Sequence, residues 1–250
     1  MLDDDPVIRL IRDAAAHRLT GWDWSFIRGR WDGVETPWSY RDAVSFAAAA
    51  SGALIDLDTG GGEFLISLPS LPDVTVATEA YTPNIPVARD QLIPRGVTVV
   101  AANPVRLPFR NESFDLAMSR HGVFRGSELH RVLAPSGQFI TQQVGPANFQ
   151  ELNEFLTGSR QSIQGPTFHQ GVADLADAGF VIDETHHALI PTSFRDVGAI
   201  AFYLLAVPWQ IPGFDPLAER TRMRAIHDYI AAEGRFSVTA ERYFIRAHRL

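Results

Sequence analysis

The stretch "LIDLDTGGGEF", residues 54–64, decides the reading of this chain. Apolar residues from Ala53 to Leu57 predict a strand, and "EFLISLPS" after the glycines predicts a helix. Between them, Gly60, Gly61 and Gly62 make a turn whose backbone can pass close to a ligand. A parallel α/β sheet binds its ligands at such turns, beyond the carboxyl ends of the strands. Asp58 stands where a turn of this kind usually has its first glycine. The run is not G-x-G-x-x-G, which points away from nicotinamide cofactors. The chain has no lysine with which to complete a phosphate loop.

Outward from the turn, strands and helices alternate. "VTVATEA", "VTVVAAN", "SFDLAMS" and "QFITQQVG" read as further strands. "NIPVARDQLIPRG" carries a helix, and "RGSELHRVLAPSG" a helix and a turn. The last third adds the helix "GVADLADAG", the strand "FVIDETHHAL" and the apolar helix "FRDVGAIAFYLLAVP". The helix "PLAERTRMRAIHDYIAAEG" and the strand "FSVTAERYFIRAHR" follow. These alternating units predict an α/β fold with a seven-stranded, mostly parallel sheet and helices on both faces. Before the sheet, residues 5–20 read as an amphipathic helix, with Asp5 as cap and Pro6 in the first turn. The aromatic stretch "GWDWSFIRGRWDGVETPWSY" and a second helix, "YRDAVSFAAAAS", complete an N-terminal helical and aromatic cap. The expected organisation is a cap over 1–50 and an α/β domain over 51–250, with an insertion at about 191–235.

Composition narrows the partners. The net charge is -7 and all 22 basic residues are arginines, with no basic run, which argues against nucleic acid. The absence of cysteine excludes disulfides, thiolate zinc sites and thiol nucleophiles. "AVSFAAAASGALI" is too short and too interrupted to span a bilayer, and "MLDDDPVIRL" lacks a signal-peptide core. A soluble cytoplasmic protein is expected. His169, His186 and His187 read as structural, and no histidine and carboxylate spacing suggests a metal.

Five ordered motifs from about Leu54 to Val144 carry a resemblance. They are Asp56-x-Asp58-x-Gly60-x-Gly62 after strand one, Glu79 ending strand two, and Asn103 shortly before "LPF". "FDLAMSRH" and "ELHRVLAPSGQFI" complete the set. Together they resemble the class I S-adenosylmethionine-dependent methyltransferases, whose sheet is Rossmann-like. "TQQVG" with "ATEAYTPN" looks like an actinobacterial branch of that family.

The resemblance implies S-adenosylmethionine as cofactor and S-adenosylhomocysteine as product. It implies that Gly60, Gly61 and Gly62 lie against the cofactor and that Asp56 orients the turn. Glu79 would hold the ribose hydroxyls, with Ala80 beside it, and Tyr81 would pack on the adenine. Asn103, followed by Pro104, replaces an aspartate that accepts from the adenine amino group; its amide can accept and donate. Asn-Pro is equally a turn signal. Ser119 and Arg120 end strand four against the cofactor, and His121 faces the region of methyl transfer. A neutral His121 can take a proton as the methyl arrives, stack on adenosine, or satisfy a backbone group. Asp58 departs from the family pattern: a side chain there is expected to crowd the methionine end of the cofactor.

Trp22, Trp31 and Trp38 in the aromatic stretch either form a satellite core or line a pocket for an apolar acceptor. Tyr203 and Trp209 are expected to form the opposite wall. Gln142 and Gln143, at the end of strand five, either orient substrate or simply end the strand. The implied function is methyl transfer to a small organic acceptor. A ribosomal or transfer RNA acceptor, and a binding protein on a degenerate scaffold, are the alternatives.

Overall fold

The computed structural model describes residues 5–17 and 21–250. The part of the first predicted helix that falls on residues 18–20 lies outside them. α1 spans Pro6–Ala16, and the Asp5 carboxylate accepts the Val7 N–H at its start. α2 (Tyr40–Ala49) leads into β1 (Ala53–Leu57), whose residues alternate between two cores. Leu54 packs with α2, α3 (Glu63–Ile66) and α4 (Asn84–Leu92), whereas Ile55 and Leu57 face α5 (Gly126–Val132) and α7 (Phe168–Asp177). The sheet is therefore covered on both faces, as its continuous apolar strands require.

The remaining strands are β2 (Val74–Glu79), β3 (Thr98–Ala101), β4 (Phe114–Arg120), β5 (Leu133–Val144), β6 (Phe180–Phe194) and β7 (Phe236–Arg249). Their order is β3-β2-β1-β4-β5-β7-β6. The pairs from β3 to β5 are parallel, and β7 runs antiparallel to both of its neighbours. Strand order reverses between β1 and β4, which puts a ligand crevice at the carboxyl end of β1.

A third core joins α1, α6 (Gln150–Thr157), α8 (Val197–Ala206) and α9 (Arg220–Glu233). The N-terminal helix and the segment between β6 and β7 thus share buried surface. The structure corrects several sequence boundaries. The helix after the glycines is a single turn, stopped where Pro69 and Pro72 follow. The turn "APSG" falls within the span of β5 as an irregular register, with Ser136 at φ 64°. β6 continues to Phe194, so the expected start of the insertion at about 191 falls inside a strand. α6 has no counterpart in the sequence reading, because Pro146 and Asn148 before it read as loop.

Gly62 shows why the turn needs glycine. Its φ is 89°, and a Cβ there would lie 2.7 Å from Leu92 Cγ on α4. Gly158 has a similar φ, 77°, but opens onto free space. We expect Gly62→Ala to lower unfolding stability by roughly 2–4 kcal/mol, from left-handed strain plus overpacking. Gly158→Ala should cost only about 1 kcal/mol, from strain alone. Urea denaturation of both variants checks this; equal losses would mean that α4 yields freely to the new methyl group.

Candidate active site

The glycine turn is tied to the end of β2 by one carboxylate. Glu79 accepts the Gly60 N–H through Oε2 and the Tyr81 N–H through Oε1, each at 2.7 Å. Each oxygen keeps a free lone pair. Glu79 is buried, as is Asp56 at the end of β1. Burial pushes the Asp56 carboxyl up to about 7, with Asp58 and Glu79 adding repulsion.

Asp58 does not crowd the turn in the way its residue type suggests. Its φ is 54°, in the left-handed region where aspartate is among the tolerated non-glycine residues. It thus takes up the backbone conformation that a glycine would supply. Its side chain lies against Gly122, where an added Cβ would sit 2.7 Å from Asp58 Cβ. Oδ2 accepts the Val123 N–H at 3.0 Å. Oδ1 is buried and without a partner. Burial pushes this carboxyl up to about 6, and Glu79 adds to the shift.

Ser119 Oγ and Tyr40 Oη are likewise buried without a partner. Ser119 pairs with Leu57 across β4 and β1, at the mouth of the crevice, and Tyr40 lies near enough to Asp56 and Arg120 to feel their charges. Unpartnered buried polar atoms around a glycine turn fit a ligand carrying hydroxyl and amino groups. Tyr81 is 64% exposed, leaving its ring free to cover a planar group. Asn103 Oδ1 accepts the Val105 N–H at 3.0 Å, so Asn103 forms its own turn while its amide nitrogen stays open. Ala80 is exposed beside Glu79, and Pro104 is buried beneath Asn103.

His121 follows β4 at φ 65° and donates its backbone N–H to Gln142 O at 2.8 Å. Its ring nitrogen Nε2 lies 3.4 Å from Gln142 Nε2. The residue is exposed to water on one side, yet the protein encloses the ring closely, as on a cleft wall. That enclosure, reinforced by Arg242 and Arg120, holds the imidazole well below its ordinary pKa, so it is neutral near pH 7. Gln142 Oε1 accepts the Trp38 indole N–H at 2.9 Å, and Trp38 stacks on His186 at 5.4 Å. Gln143 falls on the other face of β5, where its amide donates to Thr141 Oγ1. Strand alternation thus separates two neighbours that the sequence reading grouped at the site.

The aromatic residues form a ladder across the cap. Trp22 stands over Gly60, where an added Cβ would lie 2.5 Å from its Cδ1. Trp209 meets Trp22 edge-on, and Trp24 stacks on Trp22, Trp31 and Tyr203. A cleft of about 560 Å³ opens beside this ladder, with Trp22, Trp24, Trp31 and Glu63 in its lining. That cleft does not reach Glu79, Asp58 or His121; Trp22 stands between it and the turn. Pocket size therefore does not locate the chemistry, and the convergence of polar groups does. Tyr203 is buried rather than lining an open wall, and its hydroxyl donates to Gln210 Oε1 at 2.9 Å.

The sequence reading missed Arg242. This buried residue on β7 donates through Nη1 to Asn148 Oδ1 at 2.7 Å and to Glu241 O at 2.8 Å. Asn148 belongs to a buried network with Tyr203, Gln210 and Asn153. Burial lowers the Arg242 guanidinium to about 10. Its only sequence signal was a charge within an apolar strand. Among the described residues, no cluster of three His, Asp or Glu could hold a metal, and no helix is long and apolar enough to cross a membrane.

The strand order and the acid-and-glycine turn define a Rossmann-like class I methyltransferase fold. Residues 55–141, from β1 into β5, match the family model described as a methyltransferase domain. A curated relative, demethylmenaquinone methyltransferase of Roseiflexus sp. (strain RS-1), is 29% identical over 85 residues. That match covers 33% of this chain and 36% of the relative, about a third of each. The YcgJ protein of Bacillus subtilis superposes with a TM-score of 0.60 at 14% identity, covering 84% of this chain and 97% of that one. Geranyl diphosphate methyltransferase, solved in complex with S-adenosylmethionine, has a TM-score of 0.51 at 11% identity, covering 84% of each chain.

Asp58 generates a prediction about stability and pH. Its folded pKa lies above the ordinary aspartate value of about 4, so folding favours the protonated form. The stability this contributes is complete below about pH 4 and is lost as pH rises through about 6. Asparagine tolerates the same φ and can accept from Val123. Asp58→Asn should therefore stabilise the protein at pH 8 by roughly 1–2 kcal/mol, with the gain shrinking toward pH 4. Chemical denaturation across that range measures it, and a variant less stable at pH 8 would refute the account.

Proposed function

We propose that this chain transfers a methyl group from S-adenosylmethionine to a small organic acceptor. The observation that carries the reading is the convergence of Glu79, the unpartnered Asp58 Oδ1 and the unpartnered Ser119 Oγ on one glycine turn at the point of strand reversal. The complex of geranyl diphosphate methyltransferase with S-adenosylmethionine supports the choice of cofactor on this fold. The methyltransferase domain match supports the reaction class.

In this reading the free lone pairs of Glu79 accept the ribose hydroxyls. Asp58 Oδ1 accepts from the cofactor ammonium, and Asp56 stiffens the turn from below. Tyr81 covers the adenine, and the Asn103 amide nitrogen donates to the ring. Ala80 and Pro104 border that adenine site, and Arg120, at the end of β4, stands where cofactor and acceptor meet. S-adenosylmethionine, when bound, supplies a methyl carbon on a sulfonium, which leaves as a thioether as the acceptor's lone pair takes the methyl. His121, neutral and within the cleft, accepts the proton that an O–H or N–H acceptor releases. Residues up to about 50 act as a cap that excludes water, with Trp22 over the turn and Trp209 facing it. No basic run favours an RNA acceptor. The protein is placed in the cytoplasm on its composition.

Titration calorimetry with S-adenosylmethionine and S-adenosylhomocysteine should give micromolar binding; none at millimolar cofactor would leave a degenerate scaffold. Asp58→Gly keeps the turn conformation and removes the carboxylate. It should weaken S-adenosylmethionine about 10-fold, the loss of one charge-assisted hydrogen bond. Tighter binding would show that the carboxylate repels the cofactor instead. With an acceptor in hand, His121→Asn should cut kcat by about 100-fold, and the loss should ease at high pH as the acceptor ionises without help.

A further inference from the structure

Arg242 is fixed at one end and open at the other. Both of its protein hydrogen bonds leave from Nη1, one to a side-chain amide and one to a carbonyl. No acceptor among the described residues engages Nε or Nη2, and neither atom is among the buried polar groups sealed off without a partner. The Nε and Nη2 edge of the guanidinium is therefore without a protein partner and not sealed from solvent. That edge is the fork that takes a carboxylate through two parallel hydrogen bonds.

No neighbouring carboxylate closes on this fork. The Glu241 carboxylate is turned away, accepting from the Ala147 N–H and from His187. Arg120 lies close enough to repel Arg242 and has no carboxylate of its own; it rests over the Phe64 ring at 5.2 Å. Arg120, Arg242 and the neutral His121 thus stand together, and the one carboxylate that offsets Arg242, that of Glu241, makes no hydrogen bond to the guanidinium. A buried arginine kept only for structure would normally end on an acid. Here a network of Asn148, Tyr203, Gln210 and Asn153 holds one nitrogen in place, as a support that orients a binding group.

Position assigns Arg242 to the acceptor rather than the cofactor. β7 is three strands from β1, roughly 14 Å at ordinary strand spacing. The glycine turn, Glu79 and Asp58 all lie on the β1 and β2 side, and His121 stands between them and Arg242. On the β5–β7 pair, Arg242 opposes Val144, one step beyond the Phe244–Gln142 pair on the same face. That places it at the carboxyl end of the sheet, beside the Gln142 that contacts His121.

We infer that the methyl acceptor carries a carboxylate, which docks on the free edge of Arg242 while its nucleophilic atom sits by His121. The inference rests on the methyl-transfer reading, and the experiment separates the two. The probes are hydroxy- and amino-substituted aryl and alkyl carboxylic acids, each paired with its primary carboxamide. They are titrated into the protein with S-adenosylhomocysteine bound and assayed for methyl transfer with labelled S-adenosylmethionine. The wild-type protein should bind and methylate acids and should discriminate against the matching amides by about 30-fold or more. Arg242→Met should abolish that discrimination by weakening the acids alone, while S-adenosylhomocysteine binds within about twofold of wild type. Arg242→Lys should restore part of the acid affinity, since it keeps the charge without the fork.

Equal binding of acids and amides by the wild type would overturn the inference, and needs no variant to fold. So would the failure of every acid to bind at millimolar concentration, or a preference for phosphate monoesters over carboxylates. A folded Arg242→Met variant that still discriminates would do the same. Loss of S-adenosylhomocysteine binding in the wild type would strike the methyl-transfer reading itself, leaving the acid and amide comparison to judge Arg242 separately.

Discussion

One carboxylate bridging two backbone N–H groups holds the site together. Glu79 draws Gly60 and Tyr81 onto the end of β2, closing the turn over the sheet. The pairing of β1 with both β2 and β4 supplies the rigid base for this bridge. Its consequence is electrostatic. Three acids, Asp56, Asp58 and Glu79, are brought together: on top of burial, Asp58 and Glu79 push the Asp56 carboxyl up, and Glu79 pushes up that of Asp58. A folded protein tolerates such crowding poorly unless something cationic or proton-donating shares the space. The proposed ligand, with a sulfonium, an ammonium and two hydroxyls, would meet that demand, and Asp58 Oδ1 is buried without a partner to receive it.

Across β4 the polarity changes sign. Arg120, His121 and Arg242 replace the acids, and burial acts on them in the opposite direction, favouring the neutral imidazole and lowering the Arg242 guanidinium. The crevice therefore has an acidic half over β1 and β2 and a basic half over β4 and β7. Such a field orients a bound pair of molecules before any specific contact forms, because the low-dielectric walls screen charges less than water does. His121 lies at the border, which is where a proton is released if nucleophile and methyl group meet between the two halves.

The acidic half, with Arg120 and His121, was legible in the sequence and Arg242 was not, for a physical reason. Glu79 follows the glycine turn by one βαβ step, so the positions of turn, acid and Asn103 are set by local chain geometry and recur at readable spacing. Arg242 reaches the site only because β7 inserts antiparallel between β5 and β6, bringing it beside Asn148, 94 positions earlier in the chain. No local pattern encodes that. The conformation of Asp58 was hidden for another reason: residue type does not reveal a backbone angle, here φ 54°, that turns the side chain onto Gly122. Gln142 and Gln143 were adjacent letters with opposite faces, a distinction that only strand register settles.

Tyr203 connects the parts that the sequence left separate. Its ring stacks on Trp24 in the aromatic ladder, while its hydroxyl joins the network that positions Asn148 and, through it, Arg242. The ladder continues through Trp22 to Gly60, and the core beneath it is shared by α1, α8 and α9. Packing at the cap and orientation of the basic wall are consequently one mechanical unit, since close-packed interiors transmit displacement rather than absorb it. A shift of Trp22 away from the glycine turn must disturb Trp24 and Tyr203, and with them the hydrogen bonds that aim the guanidinium. In the proposed reading, covering the glycine turn and aiming Arg242 are thereby coupled through Tyr203.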